Sequence, residues 1–109
     1  MEGPVKLIAL LKAKPGLSRD EFARRWVEGH APLTLRFKNL KGYRINVAIA
    51  EYQELEGALP YDGTAELWWE SLEEMQADFA SGEAAVAVAD ADTFTLVRTH
   101  IYTEEFVLR

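Results

Sequence analysis

Val5 to Leu11 form a continuous apolar run rich in branched residues, bounded by Gly3-Pro4 and Pro15-Gly16. Such a run predicts a strand buried on both faces. The period then changes. Phe22 and Trp26 fall four residues apart with Ala23 and Val27 beside them, which is one face of a helix. Ser18, three residues before Glu21, supplies the capping box that starts it. Four residues further the stripe reaches His30. Ala31-Pro32 interrupts the helix there, because proline lacks an N–H and crowds the residue before it, and Gly29 offers a stop one step earlier. Leu33, Leu35 and Phe37 prolong it as a short second segment. Lys41-Gly42 turns the chain, after which Tyr43, Ile45, Val47 and Ile49 alternate with Arg44, Asn46 and Ala48, the period of a strand.

Residues 51–62 hold Gly57 and Pro60 with little periodicity and read as a loop, either the edge of a pocket or a simple connection. Thr64 to Glu70 is a third strand, with Ala65, Leu67 and Trp69 on one side and Glu66, Trp68 and Glu70 on the other. A second capping box, Ser71 to Glu74, opens a helix whose buried stripe is Leu72, Met75 and Phe79. Ser81-Gly82 breaks it, Glu83 to Ala89 reads as a short alanine-rich helix, and Asp90 and Asp92 mark a turn. Phe94 to Val107 favours one long final strand. The order β-α-β-β-α-β predicts an α+β, ferredoxin-like fold: an antiparallel four-stranded sheet with both helices on one face. The other face is then bare. With Trp68, Tyr43 or their aliphatic neighbours on it, it exposes an apolar patch that two sheets packed face to face bury. The expected state is a homodimer built through the sheet faces, with the long last strand available for exchange.

Composition supports this picture. The 109 residues make one domain, 1–109, and 49% of them are hydrophobic, more than so short a chain buries by itself. The 12 Lys+Arg against 18 Asp+Glu leave a net charge of −6 with no basic cluster, which argues against nucleic acid as a partner. The Arg24-Arg25 pair reads as a solvated polar face. No run is long enough to span a bilayer, and no secretory leader is recognisable at the N-terminus. The absence of cysteine excludes disulfides, thiolate metal sites and cysteine nucleophiles. A cytoplasmic protein is expected.

The stretch KLIALLKAKPGLSRDEFARRWVEGHAPL, followed by DGTAELWWESLEEM, resembles the EthD family of dimeric α+β barrel proteins. The resemblance rests on the His-Ala-Pro joint together with the later Glu-Leu-Trp, and it implies the same fold and dimer. The family histidine maps onto His30, the aromatic on its helix onto Trp26 and the strand tryptophan onto Trp68. The founding member is linked to ether degradation, similar fungal proteins act as dehydratases or decarboxylases on aromatic polyketides, and the wider superfamily spans isomerases, cofactor-free monooxygenases, cyclases and haem proteins. Fold alone therefore selects no reaction.

His30 is the expected catalytic residue, since it alone joins a side chain titrating near neutrality to an expected pocket. The structural alternative is that its ring N–H ties the backbone together at Pro32. Phe22, Trp26 and Phe37 offer aromatic walls for a planar ligand, or form plain core; Leu33, Tyr43 and Trp68 complete the set expected against a small hydrophobic ligand. Glu66 and Glu70 flank Trp68, with Arg44 and Arg98 as partners and His100 beside Arg98. No metal or cofactor is expected: two histidines lack metal-ligand spacing, and no Gly-rich loop or nucleophile elbow occurs. The leading expectation is a cofactor-independent isomerase, dehydratase or decarboxylase acting on a small cyclic or aromatic oxygenated compound. The competing one is a non-catalytic ligand-binding or accessory protein.

Overall fold

The computed structural model describes residues 2–49 and 60–109. Strand β1 (Val5–Ala13) lies inside a four-stranded sheet of order β2-β3-β1-β4, where β2 is Gly42–Val47, β3 is Gly63–Trp69 and β4 is Thr95–Thr103. Every pairing is antiparallel, so the βαββαβ expectation holds. The run 5–11 is buried on one face only. Val5, Leu7, Ala9 and Leu11 are covered by the helices, whereas the residues between them stay half-buried, because both helical layers lie on one side of the sheet. The loop read over residues 51–62 lies outside the described residues as far as 59. No helix among the described residues is long and apolar enough to cross a membrane.

The first helical layer differs from the expected interrupted helix. Helix α1 (Arg19–Arg24) runs into a π-helical turn (Arg25–His30) and then into α2 (Ala31–Thr34) without leaving the helical backbone. In the π turn the Ala31 N–H reaches back five residues to the Trp26 carbonyl. That wider turn places Pro32 in the first turn of α2, where a missing N–H needs no partner. The proline is thus absorbed without breaking the rod. Ser18 Oγ accepts from the Glu21 N–H at 3.1 Å, as the cap predicts, but only this serine half of the box is made.

Ser71 and Ser81 cap α3 (Leu72–Phe79) and α4 (Gly82–Ala91) in the same way, at 3.1 Å and 3.2 Å. Helix α4 runs two residues past its expected end, so Asp90 sits in its last turn and not in a loop. Strand β4 stops at Thr103, short of the expected Val107, and the exposed Phe106, Val107 and Leu108 follow it.

The two sheet faces sort the aromatics. Tyr43, expected as a candidate for the bare face, pairs in register with Leu67 and looks toward the helices. Trp68 does occupy the bare face, between Lys6 and the Arg44 guanidinium, which lies 5.3 Å from its ring centroid. Gly42 makes room for it, since a Cβ there would overlap the indole. Glu66 pairs with Lys6 at 2.7 Å and accepts from Asn46 at 3.0 Å. Arg98, assigned to Glu66 by sequence, lies across the sheet from it, because its register partner is Leu11.

One buried carboxylate joins three parts of the core. Asp78, 2% exposed, accepts from Trp69 Nε1 at 2.7 Å and from both the backbone N–H and side-chain amide of Asn39 at 3.1 Å. It ties the strand end, α3 and the chain entering β2. Asp78→Ala strands these donors away from water and is expected to cost about 2–4 kcal/mol, lowering the melting temperature by about 10–20 °C in a thermal-denaturation scan; an unchanged midpoint would contradict the assigned role.

Candidate functional site

Between the helical layer and the sheet lies a pocket of about 80 Å³. Its floor is Leu7, Ala9 and Leu11 of β1 with Ala65 and Leu67 of β3, and the alanines Ala87 and Ala91 of α4 face it. The space exists because small side chains stand where a leucine would fill the gap. Trp26 forms one wall. Its ring reaches the sheet at Gly63, where a Cβ would stand 2.7 Å from the indole.

His30 is a polar element of this wall, with only 12% of its side chain exposed. Its Nδ1 lies 3.0 Å from Asp90 Oδ2, and its ring packs 5.4 Å from Phe94. Asp90 also receives Arg25, Nη2 at 2.6 Å and Nη1 at 3.3 Å, and Arg25 continues to Thr93 Oγ1 at 2.8 Å. The π turn explains this convergence. In a regular helix neighbours on one face are three or four apart, whereas a π turn aligns residues five apart, and Arg25 and His30 are five apart. One carboxylate from α4 therefore meets both.

The charges follow from burial and these bonds. Burial lowers the His30 pKa below 6.5, with Arg25 and Arg98 adding to the effect against the hydrogen bond and charge of Asp90. The imidazole is neutral at neutral pH. Burial by itself would raise the Asp90 pKa, but the bonds from Arg25 and His30 outweigh it and hold the carboxyl below its usual range. An ionised Asp90 assigns the proton of neutral His30 to Nδ1, leaving the lone pair on Nε2. Thr34 Oγ1 lies 3.3 Å from that Nε2, on the pocket wall. Burial raises the pKa of Tyr43, against hydrogen bonds to Thr34 and Trp26, so its hydroxyl keeps its proton. The result is a polar line from Tyr43 through Thr34 and His30 to Asp90 and Arg25, set in apolar surroundings.

Of the residues singled out by sequence, His30, Trp26, Phe37 and Tyr43 line this pocket together. Phe22 lies off it in the core, 5.3 Å from Trp26 and 5.8 Å from Phe94. Leu33 borders a separate surface hollow with Arg36 and Gly82. Trp68 is on the opposite sheet face. Arg25, read as solvated, is instead bound to Asp90, while Arg24 is exposed. Thr34, Asp90 and Arg25 went unrecognised as site residues: a spacing of five belongs to no ordinary helix pattern, and Asp90 is 60 residues from His30. Arg98 and His100 also line the pocket, at its β4 edge; their alternation on a strand was visible, but not which face it served. Among the described residues no three His, Asp or Glu side chains converge as metal ligands.

Comparison with known proteins agrees with this architecture. The EthD domain profile matches residues 14–96. An EthD-family crystal structure from Bacillus halodurans C-125 superposes with a TM-score of 0.78 at 24% identity, over 94% of this chain and 99% of that one. A dimeric ferredoxin-like protein of unknown function from Thermobifida fusca gives 0.72 at 14% identity, over 94% and 92%. SnoaB, a cofactor-independent oxygenase from Streptomyces nogalater, gives 0.69 at 9% identity, over 97% of each chain. No curated protein matches the sequence.

Because Asp90 raises the His30 pKa while burial depresses it, Asp90→Asn is expected to push that pKa further below 6.5. Titrating the imidazole resonances by NMR checks this, and an upward shift would refute the assigned pairing.

Proposed function

The chain belongs to the EthD family, and from that membership and its histidine-bearing pocket we propose a homodimeric enzyme that moves protons on a small, cyclic or aromatic, oxygenated compound. The observation that carries the reading is the orientation of His30. Its Nδ1–H is held by Asp90 at 3.0 Å and its Nε2 lone pair is free to meet a pocket ligand in place of Thr34. A neutral imidazole so held is a general base at neutral pH. It removes a proton from a carbon beside a carbonyl or from a phenol, the imidazolium is stabilised by Asp90, and the proton is returned at a neighbouring atom. Returned to a neighbouring carbon the proton completes an isomerisation; delivered to a hydroxyl β to the carbanion it expels water; and where a ring carboxylate leaves as CO2 with its C–C bond pair left on the carbon, the imidazolium protonates that carbon. The apolar floor and Trp26 suit a planar ring, and about 80 Å³ of space limits its size.

The bare sheet face supports the dimeric reading. Val97 and Ile101 on it are 45% and 50% exposed, beside Ile8, Leu10 and Trp68, a patch that association through paired sheets would cover. A ferredoxin-like neighbour described as dimeric supports association of this fold in pairs. A native mass spectrum is expected to give twice the chain mass; a monomer at micromolar concentration would count against the face-to-face pairing.

Proton transfer can be tested before the substrate is known. A panel of small enolisable cyclic ketones and phenols, each with and without a ring carboxylate, incubated in deuterated water is expected to contain compounds whose C–H positions exchange in the presence of the protein, read by NMR. His30→Ala is expected to slow that exchange by about 10²–10⁴-fold with the fold intact. The rate should be level at and above neutrality and fall as the pH drops below 6.5 into the range where His30 takes up its proton. No exchange with any compound, or exchange untouched by His30→Ala, would end the proposal.

A further inference from the structure

The pocket is apolar and uncharged over most of its wall, yet its β4 edge carries a guanidinium. Arg98 and His100 lie on the same face of β4, opposite Leu11 and Ala9 of the pocket floor, about 7 Å apart along the strand. Arg98 Nη1 is held at 2.9 Å by Thr95 Oγ1 and at 2.8 Å by Asp92 Oδ1. Thr95 is buried and fixes the guanidinium in place. Asp92 has 65% of its side chain exposed and is a weak, solvated counterion. The remaining N–H groups of Arg98 have no partner among the described residues. Partial desolvation, with the Arg98 charge beside it, lowers the His100 pKa, so His100 offers a neutral N–H and Arg98 the positive charge. That charge is also felt at His30, which places it within electrostatic reach of the base. Asp90, the acid on the far side of His30, is occupied by Arg25 and His30.

Resting on the proton-transfer reading, we infer that the ligand of this pocket is a small cyclic monoanion, whose carboxylate or phenolate oxygens are held by Arg98 and His100 while its ring lies over Ala9 and Leu11 toward His30. The planar fork of arginine suits a carboxylate, and a charge-assisted bond at the edge of an apolar pocket is stronger than its neutral counterpart. An anion anchored there turns one edge of the ring to β4 and the opposite edge to Nε2 of His30, which sets which atom of the ring meets the base.

The test compares benzoate with benzamide, two probes of one shape that differ in charge, by calorimetric titration and by the shift of the imidazole resonances. The wild-type protein is expected to prefer benzoate by about tenfold or more. Arg98→Gln removes the preference, and Arg98→Lys, which keeps the charge, retains part of it, separating loss of charge from loss of fold. Equal binding of both probes, an undiminished preference in Arg98→Gln, or binding of neither at millimolar concentration would overturn the inference. The two readings fail separately. Arg98-dependent benzoate binding with no proton exchange in any compound removes the base and keeps the anion site, whereas exchange confined to neutral compounds removes the anion site and keeps the base.

Discussion

The pocket side of this molecule hangs on one carboxylate. Asp90 is shared by Arg25 and His30, and through them the last turn of α4 is joined to the first helical layer. The two bonds have different consequences. Arg25 keeps Asp90 ionised in a place where burial would favour its neutral form, and the ionised carboxylate then fixes the tautomer of His30. Remove the arginine and the carboxyl loses the partner that offsets its desolvation; remove the carboxylate and the imidazole has nothing to decide which nitrogen holds the proton. Burial acts in the opposite sense on His30 and wins, so the ring is both oriented by an anion and neutral. The proposed proton transfer requires both conditions.

That convergence depends in turn on a local irregularity of the helix. Arg25 and His30 share a face because the backbone takes a π turn between them, and the same turn moves Pro32 to a position where it needs no hydrogen bond. The proline, a helix breaker by its chemistry, is accommodated by widening the preceding turn and not by ending the helix. His30 consequently stays on a rigid element, with Thr34 one turn beyond it on the same pocket wall. A residue at a frayed helix end would be held far less well.

The sheet separates two kinds of work. Its helix-facing side is apolar on β1 and β3 and receives the pocket, with the polar Arg98 and His100 only on β4, where helical cover runs out. Its other side pairs Lys6 with Glu66 and packs Trp68 between cations, a surface neither fully polar nor fully buried. The register of β4 against β1 decides which of these two environments each charged side chain enters. A slip of one residue would carry Arg98 and His100 away from the pocket.

The fold was legible in the sequence because it is written in local periods: alternation along 43–49 and 64–70, spacings of four at Phe22 and Trp26, and serines at the starts of the helices. Those patterns determined the element order, the one-sided sheet and His30 as the residue of interest, and the EthD resemblance in the same motifs agrees with the domain match over residues 14–96. They did not determine what surrounds His30. Asp90 looked like a turn residue and Arg25 like a solvated one, since a charge carries no record of its partner, and a spacing of five reads as noise against a period of 3.6. The face taken by Tyr43 and the sides chosen by Arg98 and Trp68 likewise waited on strand register. Hydrophobic periodicity is a property of neighbours along the chain, and it sets the elements. Ionic pairing and pocket shape arise between residues such as His30 and Asp90, 60 positions apart, and only the packing of helix on helix and strand on strand brings them within 3.0 Å.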